Sequence, residues 1–134
     1  MQRSGKGIGP EHWLKRAKSN LARAKQNRTD EILYEDLCFD AQQATEKALK
    51  ALLLHKKISF RFVHDIGELL ATLEKHQIVV PLSIKAAAIL TTYAVETRYP
   101  GPFEQVTLEE LNEAVLIAEQ VVQWVEQLLS TKAP

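Results

Sequence analysis

Cysteine is nearly absent from this sequence, because Cys38 is the single one in 134 residues. An intrachain disulfide is therefore excluded, which fits a reducing compartment. Long apolar runs are also missing, and no window of about 18 uncharged apolar residues is available to cross a bilayer. The start of the chain lacks the apolar stretch of a signal peptide. These absences predict a cytoplasmic protein with no membrane association.

The standard catalytic signatures are missing as well. The sequence contains no glycine-rich phosphate loop, no nucleophile elbow and no His-Glu-x-x-His motif. Four histidines are present, at positions His12, His55, His64 and His76. None of them pairs with another at a spacing of four residues, and no Glu-x-x-His occurs. We therefore expect neither a metal site nor a metal cofactor in a helical bundle.

An excess of charge of either sign is absent too. Seventeen basic residues balance seventeen acidic ones, and the formal net charge is zero. A neutral chain has no global attraction to nucleic acid or to a membrane surface. Any anion-binding site must therefore be built from a local cluster of cations.

What the sequence does contain is helical periodicity. Nearly half of the residues are apolar (46%), and they recur with helical spacing in five segments. The segments span about 10–26, 31–56, 65–76, 81–98 and 107–129. Short connections between them predict an all-α fold, an up-and-down antiparallel helical bundle of four to five helices. We expect a single domain over residues 1–134, with its core at about 10–130.

Local signals mark several helix ends. Asp65 and Glu68 have the spacing of a capping box, and Thr107 and Glu110 form a second one. Proline opens the fourth segment at position 81 and stops it at position 100. The buried stripe predicted for this fourth segment consists of Leu82, Ala86, Ile89, Leu90 and Tyr93.

Polar side chains gather on one face of the predicted second helix. Gln43, Glu46, Lys47 and Lys50 lie on neighbouring rows of that helix. One interpretation is a solvated surface, on which Glu46 and Lys50 form an i, i+4 ion pair worth about 0.2–0.5 kcal/mol. The other interpretation is an anion-binding face that uses the two lysines.

Two further clusters each allow a structural and a functional interpretation. His64 is a turn residue before the capping Asp65, or a hydrogen-bond donor that titrates near neutral pH. Arg98 interacts with the C-terminal end of the fourth helix, or binds a phosphate while Tyr93 and Tyr99 stack on a base. Both interpretations stay open for each cluster.

Taken together, these clusters resemble the HEPN family (higher eukaryotes and prokaryotes nucleotide-binding domain). The stretch from Gln43 to Ala51 is similar to the family's Gln-Ala-x-Glu-Lys-x-Leu-Lys-Ala pattern in its long second helix. His64-Asp65-Ile66 resembles the family's His-Asp-Leu turn, and Arg98-Tyr99-Pro100 resembles the Arg-Tyr-Pro ending of its fourth helix. The resemblance runs from about Trp13 to Leu129 and indicates the Arg-Tyr-Pro type, which is associated with minimal nucleotidyltransferases.

The resemblance implies a homodimer that partners a small nucleotidyltransferase, in some cases as a toxin–antitoxin-like pair. It also implies a nucleotide ligand such as ATP, with no other cofactor. Nuclease members of the family carry a histidine four to six residues after the arginine. This sequence departs from that pattern, because residues 99–105 contain no histidine. Cleavage of RNA by the usual family mechanism is therefore not expected.

Three functions follow as alternatives. The first is a non-catalytic module that binds a nucleotide or the partner transferase. Its site residues are Arg98, Tyr99, Tyr93, Lys47, Lys50, His64, Gln43 and Glu46. The second is a metal-independent ribonuclease toxin in which His64 acts as the base. The third is a purely structural dimerisation module, since a fold alone does not specify a function.

Overall fold

Helices make up the whole regular structure of the described chain. The computed structural model describes residues 8–94 and 106–130, and no strand occurs in these ranges. The α-helices are α1 Pro10–Ala24, α2 Tyr34–His55, α3 Ile66–Lys75, α4 Leu82–Lys85 and α5 Leu108–Ser130, with a 3₁₀ helix at Ala86–Tyr93. The expected all-α bundle is confirmed. No helix in these ranges has the length and apolar character to cross a membrane.

Helix α2 lies at the centre and packs most extensively against α1 and α5. Its residues are strong helix formers, with no glycine or proline in the interior. Ala41, Ala44 and Ala48 are fully buried, and such small side chains let neighbouring helices approach closely. Because α2 is covered on most of its circumference, polar residues on its other faces also become buried.

Helix α1 runs antiparallel to α2 and to α5. On the side of α5, Lys18 pairs with Glu126 and Lys25 pairs with Glu119. The paired positions rise along one helix as they fall along the other, which fixes the antiparallel direction. On the side of α2, α1 buries Ala17 and Ala24 and also contributes polar contacts that form part of the site described below.

The fourth predicted helix differs from expectation. Only one turn of it, α4, is α-helical, and the rest of its described part is the 3₁₀ helix. The predicted stripe is wrong in part, because Leu82, Ala86 and Ile89 are exposed. The side chains that face the core are instead spaced by three residues: Ile84, Ala87, Leu90 and Tyr93. A spacing of three suits a helix with three residues per turn rather than 3.6.

The predicted capping box at Thr107 is complete, whereas the one at Asp65 has only the N-cap bond, because the Glu68 carboxylate pairs with Arg61 instead. The carboxylate of Asp65 accepts the backbone N–H of Glu68 at 3.2 Å. The hydroxyl of Thr107 accepts the N–H of Glu110 at 3.1 Å, and the Glu110 carboxylate accepts the N–H of Thr107 at 2.9 Å. These bonds satisfy backbone donors that the first turn of a helix leaves without partners.

The start of α3 has a second cap that comes from the 3₁₀ helix. Oγ1 of Thr91 accepts the backbone N–H of Ile66 at 2.9 Å. Ile66 is fully buried, so this donor has no access to water at the helix start. The bond therefore ties the 3₁₀ helix to the end of α3 where the loop carrying His64 arrives.

Candidate functional site

A row of polar side chains runs along α2 inside the bundle. Gln42, Glu46 and Lys50 are buried and are spaced by four residues, so their side chains lie on one face of the helix. Charged residues are rarely buried unless they are paired. Each of these three forms hydrogen bonds with its neighbours in the row, and Glu46 is the centre of the network.

The carboxylate of Glu46 accepts three hydrogen bonds. Oε2 lies 2.7 Å from Nζ of Lys50, and Oε1 lies 2.9 Å from Nε2 of Gln42. Oε1 also lies 3.0 Å from Nδ1 of His64. The amide of Gln43 reaches the network indirectly, by donating to Oε1 of Gln42 at 2.8 Å.

These bonds determine the ionisation of Glu46. Burial alone would raise the pKa of the carboxyl group, because it disfavours the charged form. Hydrogen bonds from Lys50, His64 and Gln42 favour the carboxylate and outweigh burial. The pKa of Glu46 is consequently lowered, and the group is an anion at neutral pH.

His64 connects this buried network to the surface. Its side chain is 69% exposed, whereas that of Glu46 is 4% exposed. A carboxylate only accepts hydrogen bonds, so Nδ1 of His64 must carry a proton that it donates to Glu46. Nε2 is then an acceptor in the neutral imidazole, and no described residue forms a hydrogen bond with it. The arrangement fixes the tautomer and leaves one ring nitrogen for a ligand.

Aromatic rings flank Lys50 on the outer side of the network. Its ammonium group lies 5.9 Å from the ring centroid of Trp13 and 5.8 Å from that of Phe62, within the range of cation–π contacts. Phe62 is 85% exposed, and the ring of Phe60 packs against its edge. Nε1 of Trp13 is buried without a hydrogen-bond partner in the described ranges. The surface near His64 therefore presents an open aromatic ring, with the neutralised Lys50 buried beneath it.

A second polar network occupies the contact between α1 and α2. The amide of Asn20 donates to Oδ1 of Asp40 at 3.0 Å and accepts a hydrogen bond from Nζ of Lys47 at 2.8 Å. Nε of Arg23 lies 3.4 Å from Oδ2 of Asp40. Burial lowers the pKa of Lys47, and the nearby Arg16 lowers it further, while Glu46 and Asp40 oppose them.

The structure brings together some of the residues that the sequence singled out. Glu46, Lys50 and His64 share one network, and Gln43 joins it through Gln42. The interpretation of this face as a solvated surface is wrong for Glu46 and Lys50, whose side chains are 4% and 6% exposed. The reason is tertiary, because neighbouring elements cover this side of α2.

Other predicted residues lie elsewhere. Lys47 belongs to the second network, with Asn20 rather than with the His64 cluster. Tyr93 ends the 3₁₀ helix, where it is partly buried and packs on the core. Arg98 and Tyr99 lie outside the described residues, so the predicted pocket between Arg98 and the lysines of α2 stays a prediction.

Several members of the two networks were missed by the sequence interpretation. Gln42 is one of them, although its spacing of four from Glu46 and of eight from Lys50 is visible in the sequence. Trp13 and Phe62 also take part, and no sequence signal places these distant aromatic residues beside Lys50. Within the described ranges, no group of three His, Cys, Asp or Glu side chains has the geometry to hold a metal ion.

Comparison with known proteins places these features in a family context. A family model of the HEPN domain matches residues 10–128. The crystal structure of ST0689, an archaeal HEPN homologue, is 28% identical, and the match covers 91% of this chain and 98% of ST0689 with a TM-score of 0.72. TT1696 from Thermus thermophilus is 34% identical, with 88% and 96% of the two chains covered and a TM-score of 0.75. No protein with a curated description matches the sequence.

Proposed function

This chain belongs to the HEPN family, and from that premise we propose that it is a non-catalytic nucleotide-binding module. In this proposal the protein dimerises and partners a small nucleotidyltransferase, as in a toxin–antitoxin-like pair. The ligand is a nucleotide such as ATP, bound beside His64. The observation that carries the proposal is the hydrogen bond between Glu46 and His64, which holds an exposed imidazole in one tautomer next to an open aromatic ring.

The chemistry of this surface suits a nucleotide. The face of Phe62 is available for stacking of a base, which is a sequence-tolerant contact worth about 1–3 kcal/mol. Nε2 of His64 accepts a hydrogen bond when neutral and donates one to an anion when protonated. Lys50 cannot supply a free positive charge, since Glu46 neutralises it. We assign the phosphate contact to Arg98, with Tyr93 and Tyr99 as flanking rings, on the basis of the family resemblance.

Thermal unfolding tests nucleotide binding. A ligand of the native state at ten times its Kd stabilises the protein by about 1.4 kcal/mol, which is roughly 5 °C for a domain of this size. We expect such an increase in melting temperature with millimolar ATP or another nucleotide. The increase should be lost in His64→Ala, Phe62→Ala and Arg98→Ala.

The matched control is His76→Ala, at the other end of α3. Its ring bonds the carbonyl of Thr72 and takes no part in the Glu46 network. This variant should keep the full nucleotide response. If no nucleotide raises the melting temperature of the unaltered protein, alone or with the transferase, the binding proposal is wrong.

The proposed assembly needs its own measurements. Light scattering of the purified chain should give twice the mass of the 15.1 kDa monomer. Co-expression with a nucleotidyltransferase encoded beside this gene should yield a complex that survives gel filtration. A monomer that does not bind such a transferase would contradict the proposed dimer and the proposed partner, whereas nucleotide binding is tested separately.

A ribonuclease activity is the second candidate, and the Glu46–His64 pair favours it. Nε2 of His64 would take the proton of a ribose 2′-hydroxyl while the 2′-oxygen attacks phosphorus and the 5′-oxygen leaves with a proton from water. Arg98 would stabilise the negative charge on the phosphorane. Cleavage of total RNA in EDTA that disappears in His64→Ala and Arg98→Ala would establish this activity. RNA that stays intact would remove it.

A further inference from the structure

Two arginines of α1 and one lysine of α2 line the contact between these helices, and Arg23 pairs there with Asp40. Arg16, Arg23 and Lys47 lie close enough for the two arginines to repel the ammonium group of Lys47. Asp40 is the acid that this cluster contacts directly, through the guanidinium of Arg23 and the amide of Asn20. We call Arg16, Arg23 and Lys47 the basic seam.

The opposite flank of α1 is neutralised. Lys18 and Lys25 are seven residues apart and pair with Glu126 and Glu119 of α5, which are also seven apart. Arg16 and Arg23 have the same spacing on the other side, roughly 10 Å along the axis of α1. Arg23 pairs with Asp40 of α2, whereas Arg16 forms no ion pair with any carboxylate of residues 8–94 and 106–130.

The seam is held in place rather than freely mobile. Nζ of Lys47 lies 2.8 Å from the buried Asn20 amide, which in turn lies 3.0 Å from Asp40. Nε of Arg16 donates to Nε2 of His12 at 3.1 Å, one turn earlier on α1. Because Asp40 and Asn20 anchor the base of the seam, an incoming anion meets cations that are already oriented. Such pre-organisation lowers the entropic cost of binding.

The composition of the seam favours phosphate over a protein partner. Stable protein interfaces have an apolar or aromatic centre. The exposed large apolar side chains of the described chain lie elsewhere, and none is on α1 or on the part of α2 that faces it. Arginine guanidinium groups bind phosphate oxygens in pairs, and a lysine adds a point charge.

We infer that the basic seam of Arg16, Arg23 and Lys47 binds phosphate groups. This site is separate from the His64 surface and does not depend on the function proposed there. The phosphate groups come either from a polynucleotide strand or from a small polyphosphate ligand. An added anion also relieves the repulsion between Lys47 and its two arginine neighbours. A chain with no net charge gains this attraction locally, through segregation of its charges.

Fluorescence anisotropy with a labelled single-stranded RNA of mixed sequence tests the seam, and inorganic tripolyphosphate serves as the competing small anion. We expect Arg16→Gln/Arg23→Gln to weaken RNA binding about tenfold and without regard to sequence. The dependence of log K on log salt should become shallower by about 0.7 for each lost phosphate contact. Arg16→Gln alone should show a smaller loss, and it leaves the Asp40 contacts intact.

The control is Lys18→Gln/Lys25→Gln, which removes the same charge from the flank already paired with α5. It should change RNA binding less than twofold. Sodium chloride at the same ionic strength serves as the reference for competition by tripolyphosphate. If tripolyphosphate displaces the RNA at a much lower ionic strength than sodium chloride does, the small ligand is the source of the phosphate groups. Failure of such competition would identify the strand. Equal losses in both double variants, or no binding of either probe by the unaltered protein, would overturn the inference.

The same variants distinguish the basic seam from the His64 surface. Arg16→Gln/Arg23→Gln should retain the nucleotide-induced rise in melting temperature, and His64→Ala should retain the salt-dependent binding of RNA. Circular dichroism of each variant confirms that the helical content is unchanged. If His64→Ala abolishes binding of RNA as completely as the seam variant does, the phosphates lie at the His64 surface and the seam is not a site.

Discussion

Nζ of Lys50 lies 2.7 Å from Oε2 of Glu46, and both side chains are almost completely buried inside the bundle. Exposed pairs at the same helical spacing contribute a few tenths of a kcal/mol. A buried pair behaves differently, because removal of one partner leaves the other charge without water and without compensation. The bond therefore compensates the buried charge of Lys50 and is not a large net source of stability.

Replacement of Glu46 by glutamine tests this requirement. Glu46→Gln keeps the shape of the side chain and leaves the ammonium group of Lys50 buried without its anion. We expect the free energy of unfolding, measured with urea, to fall by about 3 kcal/mol. The control Glu119→Gln breaks the more exposed pair with Lys25 and should cost less than about 1 kcal/mol. Similar losses in the two variants would contradict the distinction.

The same carboxylate predicts a dependence of stability on pH. The pKa of Glu46 is lower in the folded protein than in the unfolded chain, where it is near 4.5. As the pH falls below that value, the unfolded chain binds the proton first, so the stabilisation present at higher pH is lost as the pH approaches the folded pKa. The free energy of unfolding, measured with urea, should therefore fall less between pH 5 and pH 3 in Glu46→Gln than in the unaltered protein. Parallel curves would exclude Glu46 as a contributor.

The hydrogen bond from the N–H of Ile66 to the hydroxyl of Thr91 leads to a prediction about the start of α3. Thr91→Val keeps the volume of the side chain but leaves the N–H of Ile66 buried without an acceptor. We expect a loss of about 1–2 kcal/mol in the free energy of unfolding. The neighbouring Thr92 is exposed, and Thr92→Val should change stability by less than about 0.5 kcal/mol. If the two valine variants are equally stable, the bond contributes nothing measurable.

The C-terminal end of α3 should accept a stabilising substitution. Gln77 adopts φ of 71°, and the N–H of Ile78 bonds the carbonyl of Leu73 in the pattern of a Schellman motif. The left-handed conformation costs a residue with a side chain roughly 1–2 kcal/mol relative to glycine. Gln77→Gly should therefore raise the free energy of unfolding by about 0.5–1 kcal/mol.

A glycine placed inside the same helix provides the contrast. Ala71 is exposed within α3, and Ala71→Gly should lower stability by about 1 kcal/mol. Lys57, with φ of 58° at the end of α2, should respond to glycine as Gln77 does. A decrease in stability for Gln77→Gly would mean that the glutamine side chain makes contacts that outweigh its backbone cost.

Helices whose apolar residues repeat at the α-helical period were predictable from the sequence. In α3, all four residues of the stripe are buried as expected: Ile66, Leu69, Leu70 and Leu73. The N-cap bonds of Asp65 and Thr107 also follow from short-range spacing, since each depends on residues only three apart. The stripe of the fourth segment was wrong in part because its apolar residues allow two periods, and the fold uses the one that buries Ile84 and Ala87.

The site was harder to predict because it depends on which faces of α2 are covered. Glu46 and Lys50 have the spacing of a common surface pair, and nothing within the helix distinguishes a buried pair from an exposed one. Burial comes from elements distant in the sequence, and so does the contact with His64, which is 18 positions away. Lys47 illustrates the limit, since its neighbour on α2 is Glu46 but its hydrogen-bond partner is Asn20 on α1.

The tight winding of residues 86–93 has a geometric consequence for the chain beyond Tyr93. A 3₁₀ helix advances about 2.0 Å and turns about 120° per residue, against about 1.5 Å and 100° for an α-helix. Over these eight residues, rewinding to the α form would draw the far end back by roughly 4 Å and rotate it by roughly 160°. A small change in pitch at this position would therefore both shift and rotate the end of the 3₁₀ helix at Tyr93.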